Sequence, residues 1–505
     1  MYQKRSETNS GFRCLCVMAA LIVAFTVFLA SCSKNDNGAN EATNDGTGRQ
    51  SEPNGGDGAE AAGNANANIL DNFPDTDYGG YNFTVYMRDM VPHKTDFAAE
   101  GIIGEPINDT VYERNKKIGE KFNINVELVY YDAPDWQATG AQKAIKAGDD
   151  IYDLLALHGG GAFLLAQNNL ILDLFEHMPH MDLDAPWWAA DTIKNLSAFG
   201  KLYCVAGDIS HMGLSGTGGV LFNKNLFGDL NIEYPYADVT GGKWTIDRFY
   251  SIVRGGASDL NGDGEMKLKD DRFGLEIRHD WDYPISVLYC GGDRVITIGE
   301  DGVPAIAAYN ERTVDIFNKF FDLLSGNSVY MHIYKTVADN YPTDTAFRDG
   351  RALFYTTYLQ DVINHRDLEY EIGILPMPKY SESTPKYYTN VDAGQNVFSV
   401  PVTAADTART SMVVEALCAE GYASIMPAFY DVSLKTKYSR DDESEAMLDY
   451  IKDGRVYDYG YFNSTLAGDL AYIGQRLVNT KNPNFTSFYE KNEGKVQKNI
   501  DALNR

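Results

Sequence analysis

Ile151-Tyr152-Asp153-Leu154-Leu155-Ala156-Leu157 runs into His158-Gly159-Gly160-Gly161 and then into Ala162-Phe163-Leu164-Leu165-Ala166-Gln167-Asn168. Tyr152 to Leu157 is a short, nearly continuous apolar run, the pattern of a buried strand. Three glycines break it, and apolar residues resume at helical density. A strand that turns on glycines straight into a helix is half of a βαβ unit. Upstream, Phe83 to Met87 reads as a strand. Asp109 to Phe122 reads as a helix with Val111, Ile118 and Phe122 on one face. Ile124 to Tyr130 alternates as a strand does, and Trp136 to Ala147 is helical and ends near Gly148. Strands alternating with helices predict a mostly parallel sheet covered by helices.

A second unit begins near Gly218. Gly219 to Asn223, Arg272 to Ile277 and Ala352 to Thr357 read as strands. Lys243 to Arg254, Asn310 to Leu324 and Thr343 to Asp349 read as helices. Glu371 to Pro376 and Val397 to Pro401 are extended, and the chain from Ala404 onward is mainly helical. No internal repeat stands out.

The start of the chain has a different character. Lys4, Arg5 and Arg13 precede an apolar run from Cys16 to Ala30, too short to span a membrane and suited to a signal peptide. The run ends in Leu29-Ala30-Ser31-Cys32, the pattern of a lipobox, so residues 1–31 are expected to be removed and Cys32 to carry a lipid. Residues 32–68 hold no aromatic residue, and from Ser33 to Asn68 there is no Val, Ile, Leu or Met either, apart from Asn, Gly, Ala and acidic filling. Such a segment buries too little to offset its ordering entropy and is expected to act as a flexible tether of about 30–35 Å.

The remaining length, from Ile69, suffices for two domains with sizeable cores. The formal charge of -27 repels phosphate backbones and anionic lipid, which speaks against nucleic-acid binding and leaves the lipid to do the anchoring. Beyond Cys32, Cys204, Cys290 and Cys418 are an odd number at wide spacing, neither a disulfide framework nor a zinc motif, and are expected to be buried thiols. Aromatic residues make up 12% of the chain; in an exported protein they suit stacking on sugar rings as well as a core.

Several segments in order resemble family 1 extracellular solute-binding proteins, the receptors of ABC sugar importers. They are Ile151-Tyr152-Asp153-Leu154, Asn169-Leu170-Ile171-Leu172-Asp173-Leu174, Pro186-Trp187-Trp188 and Gly207-Asp208-Ile209-Ser210. Leu221-Phe222-Asn223-Lys224, Gly242-Lys243-Trp244-Thr245 and Gly373-Ile374-Leu375-Pro376-Met377-Pro378-Lys379-Tyr380 follow. The resemblance covers roughly half of the mature chain. It implies an α/β, two-lobed periplasmic-binding-protein-like fold of type II, its lobes joined by crossing strands. Lobe one would take residues 78–211 plus 371–426, lobe two residues 212–370, and the C-terminal helices of 427–505 would pack on both. It further implies a non-enzymatic, monomeric receptor that captures a carbohydrate, an oligosaccharide, in a closing cleft and delivers it to ABC permease subunits.

Sugar sites pair aromatic platforms with carboxylates and amides. Trp187, Trp188, Trp281, Tyr355 and Tyr358 are the candidate platforms, and Asp208, Asp282 and Asp392 the candidate acceptors. His158 and Gly159, at a strand-to-helix turn, are candidates to meet a ligand through a ring nitrogen and a backbone N–H. An esterase oxyanion loop also reads His-Gly-Gly-Gly, but Gly213-Leu214-Ser215-Gly216-Thr217 lacks the last glycine of the nucleophile elbow that reading needs. Acidic residues are plentiful enough for a surface glycoside hydrolase, although no pair has a distinguishing spacing. Asp259-Leu260-Asn261-Gly262-Asp263-Gly264, closing at Asp270, follows the EF-hand loop pattern with Asp at the last position. Asp259, Asn261, Asp263, the carbonyl of Glu265 and Asp270 are therefore expected to hold a structural Ca²⁺, and with it comes the alternative of a calcium-dependent glycan adhesin.

Overall fold

In lobe one, β1 (Tyr81–Asp89) places Phe83, Val85 and Met87, all fully buried, on one face at the period of two that a strand imposes. Helix α1 (Pro106–Phe122) begins on a proline, with the Glu105 carboxylate accepting the Asn108 N–H at 2.9 Å, and ends where Asn123 turns left-handed (φ 49°). It buries Ile107, Val111, Ile118 and Phe122 along one stripe. Then follow β2 (Ile124–Asp132), α2 (Thr139–Ala147), β3 (Leu154–His158) and α3 (Gly159–Gln167). Strands β1, β2 and β3 are parallel, with Tyr81 opposite Ile124 and Val85 opposite Leu154. These coordinates are a computed structural model that describes residues 68–333, 342–365, 367–430, 434 and 442–503. The leader, Cys32 and the tether up to residue 67 lie outside the described residues.

Lobe two is built from β4 (Gly218–Asn223), helix α4 (Ile246–Gly256), β5 (Phe273–Ile277), helix α5 (Glu311–Leu324), β6 (Val329–Met331) and β7 (Ala352–Tyr358). Its core centres on Trp244, fully buried against Phe249 and Phe354, with its indole N–H donating to the Pro376 carbonyl at 3.0 Å. The next strand, β8 (Ile372–Leu375), corrects the boundary drawn from sequence. The sequence reading places residues 371–375 on the return into lobe one, whereas β8 pairs antiparallel with β4, Ile372 opposite Asn223 and Leu375 opposite Val220. The sheet order is β8-β4-β7-β5-β6. Gly373 is the reason this pairing is so close: a Cβ there would lie 2.1 Å from the Phe222 ring.

The chain re-enters lobe one at β9 (Asn396–Ser399), antiparallel to β3 with Asn396 opposite His158, giving the order β9-β3-β1-β2. The outgoing and returning segments touch through bridges of Val205 with Phe398 and of Thr217 with Val391. Helix α6 (Thr407–Pro427) packs along α1 of lobe one. Helix α7 (Asp442–Asp453) covers β8, and α8 (Phe485–Leu503) lies against α5 of lobe two. The ends of β1, β5 and β7, where an open α/β sheet presents its loops to ligands, supply residues of the site below.

Candidate functional site

A cavity of about 450 Å³ opens between the lobes. Met90, Val91 and Pro92, directly after β1, form one wall with Ile107. Arg278, which follows β5, and Gln360, Asp361 and Asn364, which follow β7, form the opposite wall. His211, on the outgoing crossing segment, and Phe429, beyond α6, stack with ring centroids 4.8 Å apart at 19° and lie between the two walls.

Arg278 ties this cavity to an aromatic pair. Its Nη2 lies 3.1 Å from Asp361 Oδ2, and its guanidinium sits 5.3 Å from the Trp281 ring centre and 5.5 Å from that of Tyr358. Trp281 and Tyr358 stack on each other at 5.9 Å and 23°. Next to them Asp282 caps the following turn, its Oδ1 accepting the Tyr283 N–H and, at 3.3 Å, the Thr356 hydroxyl. Burial pushes the Asp282 carboxyl up to about 7, against the pull of Arg278. Asp392, on the returning segment, accepts from the Tyr461 hydroxyl at 3.2 Å and the Gly394 N–H at 2.9 Å, and burial raises its pKa too. Tyr358 is fully buried, and its hydroxyl, like Asp282 Oδ2 and Arg278 Nη1, has no hydrogen-bond partner. Trp281, Asp282, Tyr358 and Asp392 are thus brought to one cluster beside the cavity.

The other sequence candidates are placed elsewhere. Trp187 and Trp188 both donate their indole N–H groups to the Glu415 carboxylate, at 2.9 and 2.8 Å, and so pin α6 to lobe one. Asp208 backs onto the same helix; a Cβ at Gly421 would come within 1.9 Å of its carbonyl oxygen, so only glycine allows this approach. Tyr355 points to the other face of β7 from Tyr358 and stacks on Phe347 at 5.4 Å in the lobe-two core. The Gly159 N–H donates to the Ala393 carbonyl at 2.8 Å, and a Cβ there would strike Phe462 at 2.6 Å. The glycines after β3 serve close packing under Phe462 and Trp136 rather than an open anion site. His158 accepts the Gly160 N–H on Nδ1 at 2.9 Å, which leaves the proton on Nε2; burial, then the nearby Arg88, holds its pKa down to about 3.

The loop at Asp259 is closed by its own side chains and amides. Asp259 accepts the N–H groups of Gly262 and Gly264 at 2.7 and 2.8 Å, and Gly264 takes a φ of 83°. Asp263 accepts the Glu265 N–H at 2.9 Å and Asn261 the Asp263 N–H at 2.9 Å. The closing position departs from expectation. Asp270 is exposed, whereas the buried neighbour Asp271 turns inward and accepts the N–H groups of Leu260 and Lys267. The Lys267 ammonium reaches Asp263 at 2.6 Å and Glu265 at 3.0 Å, supplying the positive charge that a cation would. Among the described residues no three acidic, histidine or cysteine side chains are grouped to hold a metal ion.

This geometry has counterparts among solved structures. The chain is similar to the maltose/maltodextrin-binding domain MalE from Bdellovibrio bacteriovorus bound to maltotriose: TM-score 0.51, 15% identity, over 84% of this chain and 99% of that one. The fold is that of the family 1 solute-binding proteins. The GacH receptor of Streptomyces glaucescens, solved unliganded and with acarbose, matches with TM-score 0.51 and 12% identity over 84% of this chain and 97% of that one. A sugar transporter protein from Rhizobium etli in an open conformation matches with TM-score 0.53 and 12% identity over 84% of this chain and 100% of that one. No family model and no curated protein matches the sequence. In this solute-binding fold, Met90–Pro92, His211, Arg278, Gln360 and Asp361 are the lining residues that sequence reasoning missed. The signal was present: Met90 and Arg278 each lie just past a predicted strand, at the end that carries ligand loops.

Proposed function

We propose that this chain is an extracytoplasmic receptor that captures a carbohydrate, an oligosaccharide in the fullest reading, between its lobes and hands it to ABC permease subunits after they close. One observation carries the proposal. Three residues that line the cavity carry buried polar atoms without a hydrogen-bond partner: the donor Arg278 Nη1 and the acceptors Gln360 Oε1 and His211 Nδ1. A ligand that relieves them must donate and accept, as a hydroxyl does, because a buried polar group left unpaired costs about 1–3 kcal/mol. The Trp281–Tyr358 pair backs the cavity under Arg278, and the solved proteins of like fold include complexes with maltotriose and acarbose.

In this proposal the protein leaves its ligand intact, acts as a monomer and is held to the membrane through lipid on Cys32. The loop at Asp259 is proposed to take Ca²⁺ weakly, with a structural role, in competition with Lys267. The deciding experiment is a thermal-shift screen of the purified chain against a glycan panel, followed by product analysis. A raised melting temperature with the glycan recovered whole is the expected result. Cleavage of any panel member identifies a hydrolase instead, and a panel without a single shift rejects the receptor.

A further inference from the structure

Hydrogen-bond acceptors outnumber donors among the residues that line the cavity. Glu105, the residue before α1, and Asn108, in its first turn, both line it. One Glu105 oxygen accepts the Asn108 N–H at 2.9 Å, and no cation pairs with this carboxylate among the described residues. Asn108 spends both hydrogens of its amide inside lobe one, on the Gly101 carbonyl at 2.8 Å and on Asp109 at 3.0 Å, so its Oδ1 is what it has left for a ligand. His211 is in the same condition. Its Nε2 faces the Thr95 hydroxyl at 3.3 Å, and that hydroxyl donates its one hydrogen to the Pro92 carbonyl, so Nε2 carries the ring proton. Burial holds the His211 pKa down to about 4, which keeps the ring neutral and leaves Nδ1 a bare acceptor. From lobe two, Gln360 keeps an unpartnered Oε1, and Asp361 answers the charge of Arg278, the one cationic side chain among the described lining residues. The Glu105 carboxylate is therefore a charge left over.

We infer that the ligand of this cleft is a glycan with a free ammonium group, as an unacetylated hexosamine has, which lies against Glu105 while the sugar hydroxyls donate to Asn108, His211 and Gln360. This rests on the receptor reading above. An ammonium brings three donors and no acceptor, and its bond to a carboxylate is charge-assisted. A neutral glycan supplies hydroxyl donors but leaves Glu105 without a counter-charge. An anionic glycan fares worst. The start of a helix attracts anions, but at α1 that place is held by Glu105 itself, so a uronate or a sulfate would meet a carboxylate there. The formal charge of -27 also draws cationic solutes rather than anionic ones to the chain.

The test is isothermal titration of the full chain with glucosamine and galactosamine oligosaccharides, each paired with its N-acetylated twin, and with putrescine as an amine without hydroxyls. The expected result is that a free-amine member binds about tenfold or more tighter than its N-acetylated twin, the difference that one charge-assisted bond makes. The gap should narrow as salt screens the contact. Glu105→Gln keeps a side-chain oxygen for the Asn108 N–H and should remove the preference with the melting temperature retained. Asp149→Asn, which removes an exposed carboxylate outside the cavity, should leave the preference in place. Equal affinity within every pair, a gap indifferent to salt, or a preference that survives Glu105→Gln or vanishes in Asp149→Asn overturns the inference and leaves the receptor intact. A neutral glycan that binds where no hexosamine does has the same meaning. Putrescine bound more tightly than every hexosamine makes the ligand a bare amine and overturns the glycan. No binding by any of these or by any other glycan rejects the receptor and the inference together.

Discussion

Arg278 and Asp361 form an ion pair, Nη2 to Oδ2 at 3.1 Å, on the lobe-two wall of the cleft, and the same guanidinium lies over the rings of Trp281 and Tyr358. One residue thus joins the polar wall of the cavity to the aromatic pair. The planar fork can do both at once because its face stacks while its edge donates. An ammonium cannot. Arg278→Lys is therefore expected to lose about tenfold or more in glycan affinity by isothermal titration, with the fold retained by circular dichroism. Wild-type affinity in Arg278→Lys would remove the guanidinium from the binding site.

Glu415 binds two indoles at once. Both of its oxygens accept, from Trp187 and from Trp188, and Trp188 is buried. Glu415→Ala strands a buried N–H and frees a second, so it should cost about 2–4 kcal/mol in urea unfolding. It should change tryptophan emission but not glycan affinity, because neither indole lines the cavity. An unaltered unfolding midpoint would show that these bonds add nothing.

The contrast between these two sites marks what was legible in the sequence. Strand and helix periods gave the two α/β units because burial alternates with period in β1 and runs in a stripe along α1. The boundary of lobe one failed at β8, since an apolar strand such as Ile372–Leu375 carries no record of which sheet it joins. Of the aromatic candidates, Trp281 and Tyr358 gathered near the cleft, whereas Tyr355, one register position from a cleft-facing neighbour, went into the core. Composition ranks residue types, but the face of a strand decides their use. Met90, His211 and Gln360 were missed because no local motif singles them out; only position at a strand end or crossing segment reveals them.

Asp96 makes a pH prediction. It is buried in lobe one, with Asn396 Nδ2 donating to its Oδ2 at 2.7 Å, and burial pushes its pKa from 3.8 up to about 7. Between these values the folded state keeps a proton that the unfolded chain has lost, so this group costs stability as pH rises through about 4 to 7. Buried histidines act in the opposite sense below 6.5: burial holds His93 and His158 down to about 3 and His211 to about 4, so the unfolded chain takes up protons there first. The two effects mask each other in the wild type. Asp96→Asn isolates the acid, because asparagine mimics its protonated form. The stability of Asp96→Asn relative to wild type should be near level below pH 4 and rise by up to a few kcal/mol towards pH 8, with most of the rise between pH 5 and 8. A difference that stays flat from pH 5 to 8 would show that Asp96 ionises normally.

Lys267 sets the calcium response. Its ammonium pairs with the Asp263 carboxylate, which an ion at this loop would use, and with the Glu265 carboxylate beside it, and both partners stand at the surface. Exposed ion pairs of this kind are worth about 0–1 kcal/mol, so a divalent ion can displace the lysine at modest cost. Without Lys267, the Asp263 and Glu265 carboxylates and that of Asp259 stand closer to uncompensated. Lys267→Gln is therefore expected to melt lower than wild type in chelator and to gain more in melting temperature from Ca²⁺ in the range of about 10⁻⁴–10⁻³ M. Lys267→Gln with Asp263→Ala should lose that gain, because the ion then lacks its central oxygen. Calcium titrations that leave both the wild type and Lys267→Gln unmoved would show that the loop is closed by its own amides and takes no ion.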